Sequence, residues 1–199
     1  MAYTTINKST DYFNTKLYTG NGGTQTITGV GFQPDFTWVK GRNHAYYHYL
    51  QDVVRGSQNI LYTNNTDSQA TITAGISAWN ADGYVTGSQG ALNYNGRTFV
   101  AWNWKAGGAG SANTDGSINS TVSVNQTAGF SIVKWTGNNT AGATVGHGLG
   151  SIPKIVIVKN SQQSGYAWVM YHAYLVNNKR YCLILTNPEN NNTSSRETT

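Results

Sequence analysis

The chain has 199 residues, a net charge of +5 and one cysteine, Cys182, so no disulfide can form within it. Its lysines and arginines are scattered and do not form one stripe, so no nucleic-acid partner is expected. No apolar run approaches the roughly 20 residues that span a bilayer, so membrane insertion is not expected either. The first residues lack the apolar segment of a signal peptide, which predicts that the chain is made in a cytoplasm.

The composition indicates an all-β fold. Thr, Val, Ile, Tyr and Trp are common, whereas the two glutamates are Glu189 and Glu197. Residues of the first kind favour strands, and residues that favour helix interiors are scarce. The 23 glycines supply the many turns that short strands need.

Alternating patterns mark the predicted strands in chain order. They lie at 24–28, 35–40, 46–50, 60–63, 76–79 and 97–104, with turns at 31–34 and 80–83. The last strand is the clearest, because Trp102 and Trp104 alternate with Phe99 and Ala101. Together with Trp38, these two tryptophans are expected in the core.

An internal repeat organises the chain, because the segment 20–42 returns in altered form at 137–161. The matched positions are Pro34 and Pro153, 36–40 and 155–159, and the Tyr-His pairs that end at His48 and His172. We therefore expect two copies of one small β unit. The matched histidines are expected to make the same structural hydrogen bond.

The repeat predicts four segments along the chain. They are an N-terminal attachment segment at 1–15, a first β unit at 16–107, a Gly/Ser/Asn linker at 108–127, and a second, truncated β unit with a polar tail at 128–199. Both units are predicted to be sandwich-like, with a jelly-roll-like arrangement. The second is incomplete, since nothing in it matches 66–107. A half sandwich leaves an open sheet edge, so we expect another subunit, or chain beyond Thr199, to complete it.

Few residues suit catalysis. Most carboxylates fall in predicted turns or polar loops, which leaves Asp35 and Asp52 with no sequence reason to converge. No Gly-x-Ser-x-Gly elbow is present. His44 and His48 lie four residues apart in a segment interpreted as extended, where that spacing would place both on one face, but a metal site would need a more compact set of ligands. No catalytic residue, no metal and no cofactor is therefore predicted.

Aromatic side chains are the remaining candidates for ligand contact. Tyr and Trp rings can stack on sugar faces, because each offers a flat apolar surface and a polar edge. The candidates that border polar loops are Tyr46, Tyr47, Tyr62 and Trp79. The alternative, that these rings fill the core or a subunit contact, stays open.

Several motifs occur in a defined order. They are Leu-Tyr-Thr-Gly-Asn-Gly at 17–22 and the segments 28–40, 52–56, 80–84 and 99–105, followed by 129–133, 145–150 and Pro153. Together they resemble a repeat domain of tail-fibre and appendage proteins of marine bacteriophages. The resemblance implies a virion protein at the host-contacting end or the base of a fibre, and it supplies no catalytic residues.

The expected function is that of a non-enzymatic virion structural protein, a phage tail-fibre or appendage component that contributes to attachment to host-surface glycans. The expected partners are copies of itself in a homo-oligomer, which we predict to be a trimer, other virion tail proteins, and host-surface polysaccharide. Two alternatives stay open, a secreted carbohydrate-binding module and a polysaccharide depolymerase. A pair of carboxylates in a cleft would favour the enzyme.

Overall fold

The computed structural model describes residues 6–175 and 181–182, and this part of the chain is nearly all β, as the composition predicts. The predicted polar tail lies outside the described residues. The strands are β1 Phe13–Thr19, β2 Gln25–Thr28, β3 Phe36–Gly41, β4 Tyr49–Asp52, β5 Asn59–Tyr62, β6 Ala70–Thr71, β7 Ile76–Asn80, β8 Gly83–Thr86, β9 Thr98–Trp104, β10 Ser111–Asn113, β11 Ser120–Asn125, β12 Phe130–Trp135, β13 Ile155–Val158, β14 Val169–His172 and β15 Tyr181–Cys182.

The first unit is a sandwich of two antiparallel sheets. One sheet has the strand order β1-β9-β3-β4-β5-β6, and the other has the order β2-β8-β7. Buried side chains from both sheets fill the space between them, among them Ile27, Ile60, Tyr84 and Phe99. The predicted all-β, sandwich-like architecture is confirmed for this part of the chain.

Strand β9 shows the predicted alternation, but the face that was expected to be buried is the more exposed one. Phe99 and Ala101 are fully buried, whereas Trp102 and Trp104 are half-buried on the other face, beside Trp38. The prediction that these tryptophans lie in the core between the sheets is therefore wrong. Alternation identifies two faces of a strand, but it does not say which face the second sheet covers.

Helices are short. A 3-10 helix spans Ser9–Asp11, and a single α-helical turn, α1, spans Gly90–Asn93. The sequence did not indicate α1, because tertiary packing and not propensity forms it: Ala91, Leu92 and Asn93 are all buried. No helix in residues 6–175 is long and apolar enough to cross a membrane.

Two predicted boundaries differ from the observed ones. Strand β1 starts at Phe13, inside the predicted N-terminal attachment segment at 1–15. Strand β4 begins only at Tyr49, so His44 and His48 do not share a strand face. Both residues belong instead to the irregular connection between β3 and β4.

The predicted linker at 108–127 contains two strands, so the prediction of a linker without secondary structure is wrong. Strands β10 and β11 pair with β12 in a three-stranded antiparallel sheet. The Ser123 hydroxyl donates to the Gly108 carbonyl at 2.6 Å and accepts the Gly107 N–H at 2.9 Å. The glycines therefore allow the chain to pack closely against β11, and they do not make this segment a spacer.

Strands β13, β14 and β15 form a separate three-stranded antiparallel sheet in the second unit. The β13–β14 hairpin repeats the β3–β4 hairpin, because Ile155 opposes His172 as Phe36 opposes Asp52. His172 therefore corresponds to Asp52 and not to His48. The predicted match between the two histidines is therefore wrong. The prediction that both make the same structural hydrogen bond, which depended on that match, is wrong as well.

The second unit packs against the tryptophan face of the six-stranded sheet. The Phe130 ring stacks at 6.1 Å from the Trp104 ring. Trp168 is 8% exposed and packs against Leu50. Its indole N–H donates to the Tyr62 carbonyl at 2.7 Å. The half-buried tryptophan face thus becomes the junction between the two units.

Candidate ligand-binding surface

Two of the four ligand candidates are well exposed, and both lie between β3 and β4. Tyr46 is 43% exposed and Tyr47 is 49% exposed. The two neighbours belong to different ring clusters, since the Tyr46 ring lies 6.1 Å from Tyr94 and the Tyr47 ring lies 5.0 Å from Tyr62.

Tyr62 and Trp79 are half-buried. The Tyr62 ring lies 5.4 Å from Tyr49, and burial raises the pKa of Tyr49 to about 12. Burial, followed by the negative charge of Asp67, raises the pKa of Tyr62. Trp79 packs against the core between the sheets, with its indole nitrogen shielded from solvent. The structure therefore does not bring the four candidates into one site.

Tyr46 belongs to a surface that the sequence did not reveal. The His44 ring lies 4.9 Å from the Tyr46 ring, and the Arg97 guanidinium lies 5.9 Å from the centre of the Tyr94 ring. We call His44, Tyr46, Tyr94 and Arg97 the tyrosine surface. Its two halves are distant in the chain and meet because β9 pairs with β3. The available sequence signal was an aromatic residue beside a turn, Tyr94-Asn-Gly-Arg97.

A buried asparagine holds Tyr94 in place. The Asn93 amide donates to the carbonyls of Gly23 at 2.7 Å and Gly87 at 3.0 Å, and its oxygen accepts the Asn21 N–H at 2.8 Å. A buried polar group that is fully hydrogen-bonded makes its surroundings rigid. Because Tyr94 follows Asn93 directly, its ring projects from a fixed base.

Gly20 holds the same turn from the end of β1. Its N–H donates to the Arg97 carbonyl at 2.8 Å, and its own carbonyl accepts the Gly96 N–H at 2.9 Å. A Cβ atom at Gly20 would overlap the Tyr94 carbonyl oxygen. Only glycine therefore allows the turn at 94–97 to approach this closely.

The tyrosine surface is locally cationic. Burial lowers the pKa of His44, and the positive charges of Arg97 and Lys40 lower it further. Arg42 and Arg97 are both exposed, and neither forms an ion pair with a carboxylate in the described part of the chain. Exposed guanidinium groups beside flat rings are suited to bind sugars that carry carboxylate or sulfate groups.

The two carboxylates considered for catalysis support the local structure. Asp35 is 3% exposed and accepts the N–H groups of Ala106 at 2.7 Å and Gly108 at 3.2 Å. Asp52 is 2% exposed and accepts the backbone N–H of Arg55 at 2.9 Å and its Nε–H at 2.6 Å. Both are buried, and each holds a loop in place. Among the described residues, no group of three His, Cys, Asp or Glu side chains could hold a metal ion.

The fold and this surface define an all-β protein of two packed units, with a cationic aromatic surface on the first. The family model described as "Domain of unknown function (DUF7483)" matches residues 8–199, and the chain belongs to that family. Comparison with the curated proteins and comparison with the solved structures each gave no match.

Proposed function

We propose that this protein is a non-enzymatic structural component of a phage tail fibre or appendage, and that it helps to attach the virion to glycans on the host surface. The observation that carries the proposal is the tyrosine surface, where exposed rings lie beside Arg97, which forms no ion pair among the described residues. Aromatic rings of this kind stack on sugar faces. The virion location is supported by the ordered motifs that resemble phage tail-fibre repeats.

The charges on the surface favour an acidic glycan. The Arg97 guanidinium adds positive charge beside the Tyr94 ring, and a bidentate guanidinium recognises a carboxylate well. The proposed partner is therefore a host polysaccharide that contains uronic acid or a similar acidic sugar. Binding of this kind weakens as salt concentration rises.

We also propose that the protein is a homo-oligomer, a trimer, and that it contacts other tail proteins. Subunit contacts would account for several exposed apolar side chains. Leu17 is 56% exposed, Ile152 is 84% exposed and Tyr174 is 83% exposed. Aromatic side chains are enriched where subunits meet, and the interfaces of homo-oligomers are more apolar than the rest of a protein surface. Light scattering that detects a monomer at high protein concentration would argue against this part of the proposal.

The test of attachment compares wild type with Tyr46→Ala and Tyr94→Ala for binding to host-surface polysaccharide by calorimetry. Each variant is expected to bind about tenfold more weakly, because it loses a stacking contact of roughly 1.4 kcal/mol. Tyr166→Ala is the matched control, since Tyr166 is 54% exposed but lies in the second unit. Equal binding by all four proteins would refute the proposal.

The depolymerase alternative has its own test. Asp35 and Asp52 are already committed to structural hydrogen bonds, which supports a non-enzymatic role. Host polysaccharide incubated with the wild-type protein is therefore expected to keep its chain length on size-exclusion chromatography. A progressive loss of chain length would favour the enzyme.

A further inference from the structure

Strand β13 has one edge with no strand beside it among the described residues, since it pairs only with β14. The Ala173 N–H donates to the Lys154 carbonyl at 2.8 Å. In an antiparallel ladder, alternate residues bond to the same neighbour. The backbone N–H and C=O groups of Ile155 and Ile157 therefore point away from β14, toward the open edge.

The matching edge in the first unit is occupied. Strand β3 pairs with β4 on one side and with β9 on the other. The Arg42 N–H donates to the Thr98 carbonyl at 2.8 Å, and the same alternation directs the backbone groups of Phe36 and Trp38 to β9. In the internal repeat these two residues match the first and third residues of β13. The same backbone positions thus have a partner strand in one unit and none in the described part of the other.

An apolar groove of about 160 Å³ lies along the open edge. All four residues of β13 line it, as expected where a backbone edge and not one face borders a groove. Its other apolar walls include Val133, Trp135, Leu149 and Pro153. The volume is similar to that of a cavity of about 150 Å³ that holds a benzene ring, so it can take one bulky side chain.

We propose that the β13 edge is a strand-acceptor site for an extended segment of a partner polypeptide. The segment runs antiparallel to β13, bonds the backbone groups of Ile155 and Ile157, and places one aromatic side chain in the groove. Strand β9 is the template for its chemistry, because β9 occupies the matching edge and carries an aromatic residue at alternate positions. In strand addition, main-chain bonds give affinity and side-chain pockets give specificity. The inference is independent of glycan attachment.

The first test uses a soluble peptide with the sequence of residues 97–105 and the full-length protein. Hydrogen exchange followed by NMR is expected to show fast exchange at the Ile155 and Ile157 amides in the free protein. The peptide should slow both amides by about tenfold or more, since they become hydrogen-bonded. A peptide of the same composition in scrambled order is expected to have no effect.

Two variants at position 157 separate the effect of losing a backbone hydrogen bond from the effect of losing the side chain. Ile157→Pro removes the N–H that the added strand needs, and an edge strand tolerates proline where its N–H faces solvent. This variant is expected to keep its circular dichroism spectrum and to lose peptide protection at Ile155. Ile157→Ala keeps the N–H and is expected to retain protection.

Three results would overturn the proposal. In the first, the peptide leaves exchange at both amides unchanged. In the second, the amides already exchange slowly in dilute monomeric protein, which would mean that the chain covers its own edge. In the third, protection rises with protein concentration together with a dimer in light scattering, which would make a second copy the occupant.

Discussion

The buried carboxylate of Asp35 fixes the point where the chain leaves the first unit, because it accepts the N–H groups of Ala106 and Gly108. Replacing Asp35 with alanine leaves these buried donors without an acceptor. We expect the free energy of unfolding to fall by about 2–4 kcal/mol, measured by urea denaturation. Asp11→Ala is the control, since the ion pair of Asp11 with Lys8 is exposed. Its loss should lower the free energy of unfolding by less than about 1 kcal/mol. A loss at Asp35 no larger than at Asp11 would contradict this role.

The pKa of His44 reports on the charge of the tyrosine surface. Burial is the larger cause of its lowering and Arg97 the next, so Arg97→Gln should raise the pKa only part of the way to its ordinary value. NMR titration of the His44 ring checks this, with Lys134→Gln, an exposed change in the second unit, as the control. An unchanged His44 pKa in Arg97→Gln would show that the Arg97 charge does not act on the His44 ring.

The same lowered pKa sets the sign of a pH effect on stability. Between the folded-state pKa of His44 and the ordinary value of about 6.5, the unfolded chain binds more protons than the folded one. His44 therefore reduces stability as pH falls through this window, and it has no further effect below the folded-state pKa. The loss of stability between these two pH values is expected to be smaller in Arg97→Gln than in wild type. Thermal unfolding at a series of pH values measures it.

At the scale of elements, the β7–β8 hairpin depends on one glycine. Gly83 has a φ of +148°, and a Cβ atom there would overlap the Ile27 carbonyl oxygen of β2. Gly83→Ala should therefore disrupt the β2–β8 pairing and cost more than about 2 kcal/mol in thermal unfolding. Gly137→Ala is the control, because open space surrounds Gly137. Similar melting temperatures for both variants would contradict the expected clash.

Elements with strong alternation or a clear turn could be predicted from the sequence, and others could not. Strands β2, β3, β5, β7 and β9 fall where their patterns indicated. Strands β10 and β11 were missed because they lie in a segment rich in Gly, Ser and Asn, a composition typical of linkers. They form strands here through contacts with β12 and the first unit. Of the tyrosine surface, Tyr46 could be proposed from its loop, but Tyr94 and Arg97 required the adjacency of β3 and β9.

At the scale of the molecule, Trp168 couples the two units. Trp168→Ala removes a ring that packs on Leu50 and a hydrogen bond to the Tyr62 carbonyl. Truncating a buried tryptophan costs about 3–5 kcal/mol, so the second unit should unfold at a lower temperature than the first. Calorimetry is expected to show the unfolding transition broadened or split, whereas the exposed Tyr166→Ala change leaves it as in wild type. A transition in Trp168→Ala that matches wild type would mean that the junction contributes little.

The proposal that this chain is a virion attachment protein is tested most directly by immunogold electron microscopy of purified phage particles. An antibody raised against the folded protein is expected to label the tail fibres or appendages, at the same positions on each particle. Particles without label, with all of the protein recovered in the soluble fraction, would contradict the claim.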